Sequence, residues 1–273
     1  MAERTLWWIL SLGLFVGLWE VGFALGWFSA EVLPPPHQFI PAFPAQAMHF
    51  DFGTRIAGEA AGSSAIAAIL LTTASTIARV CVGLGLGFAL GVATGIGIRY
   101  SVYLGRLVLP MVTLLAPISP FAWLPVAVFV FGVGDLPAVF LVFVAVFFII
   151  VLATIAEIER VPANHIDAAR IMGATRPQLY LHVILPSILP GLFLMLRMNM
   201  FAAWMVVLVA ESAGTSHGLG AVIMLARNTA NNELVFLGFV VIGVVGFAFD
   251  WLLRQMQDRL LYWQSSNPAL LTG

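Results

Sequence analysis

Glu20, Glu211 and Asp250 are acids, and Arg79 a base, set within otherwise apolar stretches of this sequence. An ion held in hydrocarbon is costly, so each is a candidate for a buried pair or for a polar path through a membrane. Arg79, about two turns into its stretch, is expected to pair with Glu20 or Glu211 and could also attract an anion. Glu211, near the end of its stretch, is a candidate gate residue. Trp123, set among Pro117, Pro120 and Pro125, and Trp204 are candidate path-lining aromatics. Asn199, five residues before Trp204, should point about 140° away from it on a helix.

Little else invites catalysis. The acids are scattered over different stretches, so no acid–base pair on facing helices is expected. His165 and His182 flank one polar segment, His37, His49 and His217 lie in others, and no two have metal-ligand spacing, so no metal site is expected. The single Cys81 excludes an intramolecular disulfide and reads as a small buried hydrophobe. All twelve basic residues are arginine, so the lysine of a phosphate-binding loop is missing and the chain should not hydrolyse nucleotide through such a loop. The run Gly83-Leu84-Gly85-Leu86-Gly87 lies inside an apolar stretch. Gly83, Gly87, Gly91 and Gly95 recur every four residues, which predicts a helix face for close packing.

The elements that would position these residues are membrane helices. Hydrophobic residues make up 61% of the 273 and charged residues 9%, with mean hydropathy +1.02. That composition predicts an all-α polytopic membrane protein with six transmembrane helices, at 6–28, 71–98, 107–131, 137–156, 191–213 and 234–253. The first stretch is too long for the core of a signal peptide and is expected to be retained. The third holds Pro110, Pro117, Pro120 and Pro125 and should be kinked or interrupted. The segment 31–62, broken by Pro34-Pro35-Pro36 and carrying Asp51, Arg55 and Glu59, predicts an outer loop with an amphipathic piece. A loop is expected over 214–233.

The division is thus 1–62, an N-terminal helix with its outer loop; 63–263, a core of five spans around a polar loop at 157–190; and 264–273, a tail. With a cytoplasmic N-terminus, nine arginines (4, 99, 106, 160, 170, 176, 197, 254 and 259) fall on or beside the cytoplasmic face and two, Arg55 and Arg227, outside. This bias puts both termini and the 157–190 loop in the cytoplasm. Net charge of −1 gives no reason to expect a nucleic-acid partner; the lipid bilayer is the surrounding partner.

The polar loop reads as a helix of its own. Pro162 suits a first turn, Asn164 a cap, and Ile166, Ala169, Ile171 and Met172 an apolar side before a tight turn at Gly173. Arg176-Pro177 should start a second short helix toward Leu185-Pro186. Small residues at Ala168, Ala169, Gly173 and Ala174 would let another protein approach, with Asp167 and Arg170 at the rim.

The pattern Asp167-Ala168-Ala169-x3-Gly173-Ala174, followed by Val183-Ile184-Leu185-Pro186, resembles the coupling loop of ABC importer permeases, with Asp for the usual Glu and Val for Ile. Thr73-x5-Arg79-x3-Gly83, Pro110, the segment Pro117 to Pro125, Phe131-Gly132-Val133-Gly134-Asp135, Ala210-Glu211, Gly218-Leu219-Gly220 and Leu260-Leu261-Tyr262-Trp263 are similar to permeases of taurine, nitrate and alkanesulfonate importers.

The resemblance implies a type I importer permease fold in a bacterial inner membrane. It also implies a transport subunit that binds no cofactor and performs no chemistry on its cargo, a small anion such as nitrate, taurine, a sulfonate or a related small carboxylate. Implied partners are two ABC ATPase subunits, which bind ATP and Mg, a second permease subunit, most simply an identical copy, and a periplasmic substrate-binding protein. Residues 167–170, Met172, Gly173 and Ala174 would meet the ATPase. A secondary transporter without ATPase is the alternative; it predicts an inverted repeat and midplane ionisable residues, neither of which is evident.

Overall fold

A backbone surrounded by lipid has no water to bond with, and a helix satisfies its polar groups internally. The computed structural model describes residues 2–29, 31–51 and 65–260, and these contain helices and no strand. The chain divides into two compact units, Met1–Ser75 with Ser216–Val244, and Thr76–Thr215 with Val245–Gly273.

The first unit holds α1 (Ala2–Ala24), the short helices α2 (Pro36–Phe39) and α3 (Phe43–Gln46), and a 3-10 turn at Ala47–Phe50. Trp19 packs on Phe39 and Phe236, with ring centroids 6.0 and 5.4 Å away. The Thr72 hydroxyl donates to the Phe50 carbonyl at 2.6 Å, anchoring the turn. Arg55 and Glu59 of the expected amphipathic piece lie outside the described residues, as do Leu261, Tyr262 and Trp263. The expected loop at 214–233 contains a further helix, α11 (Leu219–Asn228). Its buried Leu219, Val222 and Ala226 recur at helical spacing, giving a stripe too short to span but enough to pack.

The second unit is built on α7 (Asp135–Glu159), a strongly apolar helix half buried among its neighbours. A helix enclosed by neighbours must be apolar on nearly every face. The helix α4 (Ala65–Tyr100) meets it along the glycine stripe. A Cβ added at Gly83, Gly87, Gly91 or Gly95 would lie 2.5, 3.0, 2.9 or 2.7 Å from Val142, Val146, Ile150 or Thr154 respectively. The helices therefore touch backbone to ridge, and the packing role expected of the stripe holds. The helices α5 (Val102–Leu115) and α6 (Leu124–Phe131), with a 3-10 turn at Pro120–Trp123 before α6, form a pair bent by 99°. The interruption expected from the prolines is therefore present.

After α7 come α8 (Ala163–Ile171), α9 (Arg176–Leu179), a π-helical turn at Tyr180–Ile184, α10 (Leu185–Gly214) and, after α11, α12 (Asn232–Leu260). Four helices are long and apolar enough to cross a membrane, or five if the bent pair is one span, so the described residues support four or five spans where six were expected. α1 carries a shorter apolar stretch, Leu10–Ala24.

Three expectations are corrected. Cys81 is exposed on the surface of α4, where an apolar thiol can face lipid as readily as a core. Pro162, not Asn164, occupies the cap position of α8, and the Asn164 side chain accepts from the His165 N–H instead. The segment from Arg176 does not end as a separate helix. Residues Pro177–Gly214 run on as one helical span, widened at the π turn, where the Leu185 N–H reaches back to the Tyr180 carbonyl. The next residue, Pro186, has no N–H to give, and the widened turn accommodates that loss.

Candidate functional site

Two regions of the second unit carry the loop residues, Arg79 and Glu211. The first is the polar loop. Its inner side is apolar: Ala169 is buried with Ile158, Leu179, Ile184, Ile188 and Leu192, and Ile166 and Ala174 pack against that cluster. Gly173 takes φ +79°, a left-handed conformation open to glycine at little cost, and turns the chain from α8 toward α9. The Tyr100 and Tyr180 rings meet at 3.8 Å, joining the end of α4 to the π turn.

The outer side projects. Ile171 is 86% exposed and Met172 80%, beside the exposed Ala168 and Gly173. Asp167 and Arg170 form a loose surface pair at 3.8 Å. Of the small residues expected on the approachable side, Ala168 and Gly173 are exposed, whereas Ala169 is spent on holding the helix down. Large apolar side chains thus stand exposed on a helix whose other face is packed into the unit.

Beneath the loop lies a cleft of about 670 Å³ lined by Glu157, Arg160, His165, His182 and Ser187 among others. Arg160 donates to Glu157 at 2.7 Å. The Glu157 carboxylate rests against Gly191, where any Cβ would collide with it.

The second region is a buried ion cluster. Arg79 donates from Nε and Nη2 to Asp135 Oδ1, at 3.0 and 2.6 Å, and from Nη1 to Glu211 Oε1. Thr76, one turn earlier on α4, donates to the other Glu211 oxygen at 3.1 Å. Arg79 is 4% exposed and Glu211 0%. The start of α7 is held there as well, because the Gly134 N–H donates to the Gly214 carbonyl at 2.9 Å. Of the two partners expected for Arg79, Glu211 is the one found; Glu20 pairs with His37 at 2.8 Å.

The remaining path candidates separate. Trp204 is buried, its ring 6.3 Å from that of Phe249 and its indole edge over Gly246. Asn199 is also buried and donates to the Met195 carbonyl at 2.9 Å. Trp123 is half-buried at the bend between α5 and α6, with a buried indole N–H that has no partner among the described residues. Those residues contain no cluster able to hold a metal ion.

Sequence reasoning missed Asp135 as the second partner of Arg79, although an acid at the start of an apolar run is a readable helix-start signal. It also missed a second ion cluster. Arg197 Nε donates to Asp250 Oδ1 at 2.9 Å, and Arg254 donates to Oδ2 from Nε at 2.8 Å, with its Nη2 2.7 Å away. The i,i+4 spacing of Asp250 and Arg254 was its visible trace.

The taurine transport system permease protein of Escherichia coli (strain K12) is 32% identical over 154 residues, 56% of each chain. This chain thus spans little more than half the length of that relative. A putative aliphatic sulfonates transport permease protein of Bacillus subtilis (strain 168) is 29% identical over 258 residues, 94% of this chain and 87% of the relative. A solved chain of the methionine ABC transporter MetNI, in inward-facing conformations, shares the fold with a TM-score of 0.55 at 22% identity, over 68% of this chain and 95% of that one. The family model for binding-protein-dependent transport system inner membrane components matches residues 83–262, a span that includes the polar loop, Asp135, Glu211 and Asp250, and the chain belongs to that family.

Proposed function

We propose that this chain is the membrane-spanning permease subunit of an ATP-driven importer for a small anion, with a sulfonate or taurine favoured by the names of its relatives and nitrate or a small carboxylate in the same class. The chain performs no chemistry on its cargo. Two ABC ATPases would bind ATP and Mg and dock on the 167–174 loop, a second permease subunit would complete the path, and a periplasmic binding protein would deliver the cargo. In this reading the protein lies in a bacterial inner membrane with six spans, both termini and the 157–190 loop facing the cytoplasm.

The observation that carries the reading is the two-sided loop. Ile166, Ala169 and Ala174 pack it into the unit while Ile171 and Met172 stand almost fully exposed. A knob anchored from behind can transmit a push, because movement of the partner surface is passed to α7 and α10 and is not absorbed by the loop. ATP drives the switch only through different affinities for the two states of the partner. The Arg79 cluster joins α4, α7 and α10 and fits a structural clasp better than a cargo site, since Asp135 and Glu211 occupy its guanidinium. Trp123, at the bend, remains the path candidate.

Co-purification in detergent with the candidate ATPase tests this. The wild type should retain two ATPase copies, and ATP hydrolysis in liposomes should rise when the binding protein is added. Ile171→Asp combined with Met172→Glu should keep the thermal stability of the isolated subunit, because neither side chain is buried. The same pair should cost about 2 kcal/mol or more of ATPase binding. A wild type that retains no ATPase would move the secondary-transporter reading to the front.

A further inference from the structure

Two guanidiniums converge on one carboxylate at Arg197, Asp250 and Arg254, and both carboxylate oxygens are used. Asp250 is 4% exposed, whereas the side chains of Arg197 and Arg254 are 29% and 54% exposed. A guanidinium carries five N–H donors. Among the described residues both arginines bond to Asp250 alone, so most of those donors remain open and the three groups together carry one positive charge. The buried carboxylate fixes both planar forks in place, which removes much of the ordering cost of a ligand contact.

The setting narrows the ligand. Asp250 and Arg254 fall where the apolar run of α12 gives way to Arg254, Gln255, Gln257 and Asp258. Trp251 beside them is 55% exposed, and exposed tryptophan at the end of an apolar run marks the boundary between hydrocarbon and headgroups. We infer that Arg197 and Arg254 form a binding site for a tetrahedral oxyanion at that boundary, the chemistry shared by a phospholipid phosphodiester and a soluble sulfonate or sulfate. Arginine forks suit tetrahedral and planar oxyanions because two parallel N–H donors meet two oxygens. The site requires neither an ATPase nor import.

The test is thermal unfolding of the full chain in nanodiscs of phosphatidylcholine. One arm titrates phosphatidylglycerol into the disc lipid, and the other adds sodium sulfate against sodium chloride at matched ionic strength. Wild type should be stabilised in one arm with a saturable dependence. Arg254→Gln should need on the order of tenfold more of the same anion, and Arg259→Gln, outside the cluster, should behave as wild type. A response to phosphatidylglycerol alone identifies a lipid headgroup, and a response to sulfate a soluble anion. If Arg254→Gln does not fold, Arg254→Lys keeps the charge without the fork and should weaken the response several-fold. Equal responses in wild type and the Arg254 variant, or the same loss in Arg259→Gln, would overturn the site.

Discussion

The Arg79 cluster sets one guanidinium between the carboxylates of Asp135 and Glu211, and the Asp250 cluster sets one carboxylate between the guanidiniums of Arg197 and Arg254. Both lie in the same unit and share α10, where Arg197 and Glu211 are fourteen residues, or about 21 Å, apart. In each the central group is nearly inaccessible and one outer partner is more than half exposed: Asp135 at 55% and Arg254 at 54%. What differs is the reach of the outer groups. Arginine can run its apolar stem along the helix and lift its charge toward headgroups, while aspartate and glutamate are short and stay where the backbone puts them. A cluster centred on a cation therefore fits a clasp, and one centred on a carboxylate leaves cations at its rim whose free donors face outward.

The strongest way to break this comparison is to remove each centre in turn. Arg79→Met would leave Glu211, fully buried, without its guanidinium, and breaking a buried pair from one side costs about 3–5 kcal/mol. Thermal unfolding in detergent should show a large loss for Arg79→Met and substantial recovery when Glu211→Leu is added, because the double variant leaves no buried charge behind. If the single variant unfolds like the wild type, Glu211 is held by other groups and the clasp reading fails. Asp250→Asn should cost less, about 1–3 kcal/mol, because it removes charge-assisted bonds but leaves two arginines that can reach solvent or headgroups. A cost equal to that of Arg79→Met would erase the distinction between the clusters.

Much of this is legible in the sequence. Apolar length located the long helices, the prolines at 110, 117, 120 and 125 marked the bend, and the four-residue glycine period marked the face of α4 that meets α7. The loop pattern from Asp167 to Ala174 identified the projecting helix. Partner choice was less visible. Which acid reaches Arg79 depends on how α4, α7 and α10 are rotated about their axes, and one sequence does not state those rotations. The inner role of Ala169 was hidden for a related reason, since a small residue suits a close approach from either side. The π turn at Tyr180–Ile184 has no composition of its own and arises where the polar loop joins a proline-bearing span. Cys81 misled because burial in a core and exposure to lipid select the same side chain.

The finest test compares the two exposed outer partners, Asp135 and Arg254. Each is more than half accessible, so its ion pair is screened and worth little, about 0–1 kcal/mol. Asp135→Asn keeps the side-chain shape and its N-terminal place on α7, and Glu211 still holds Arg79. Arg254→Gln leaves Asp250 bonded to Arg197. Both should lower the unfolding temperature in phosphatidylcholine discs by only a few degrees. They should part company when an anionic lipid or sulfate is supplied, because only Arg254 offers donors to an oxyanion. A loss in Asp135→Asn as large as that expected for Arg79→Met would mean that the exposed carboxylate, not Glu211, carries the clasp, and the burial argument separating centre from rim would have to be abandoned.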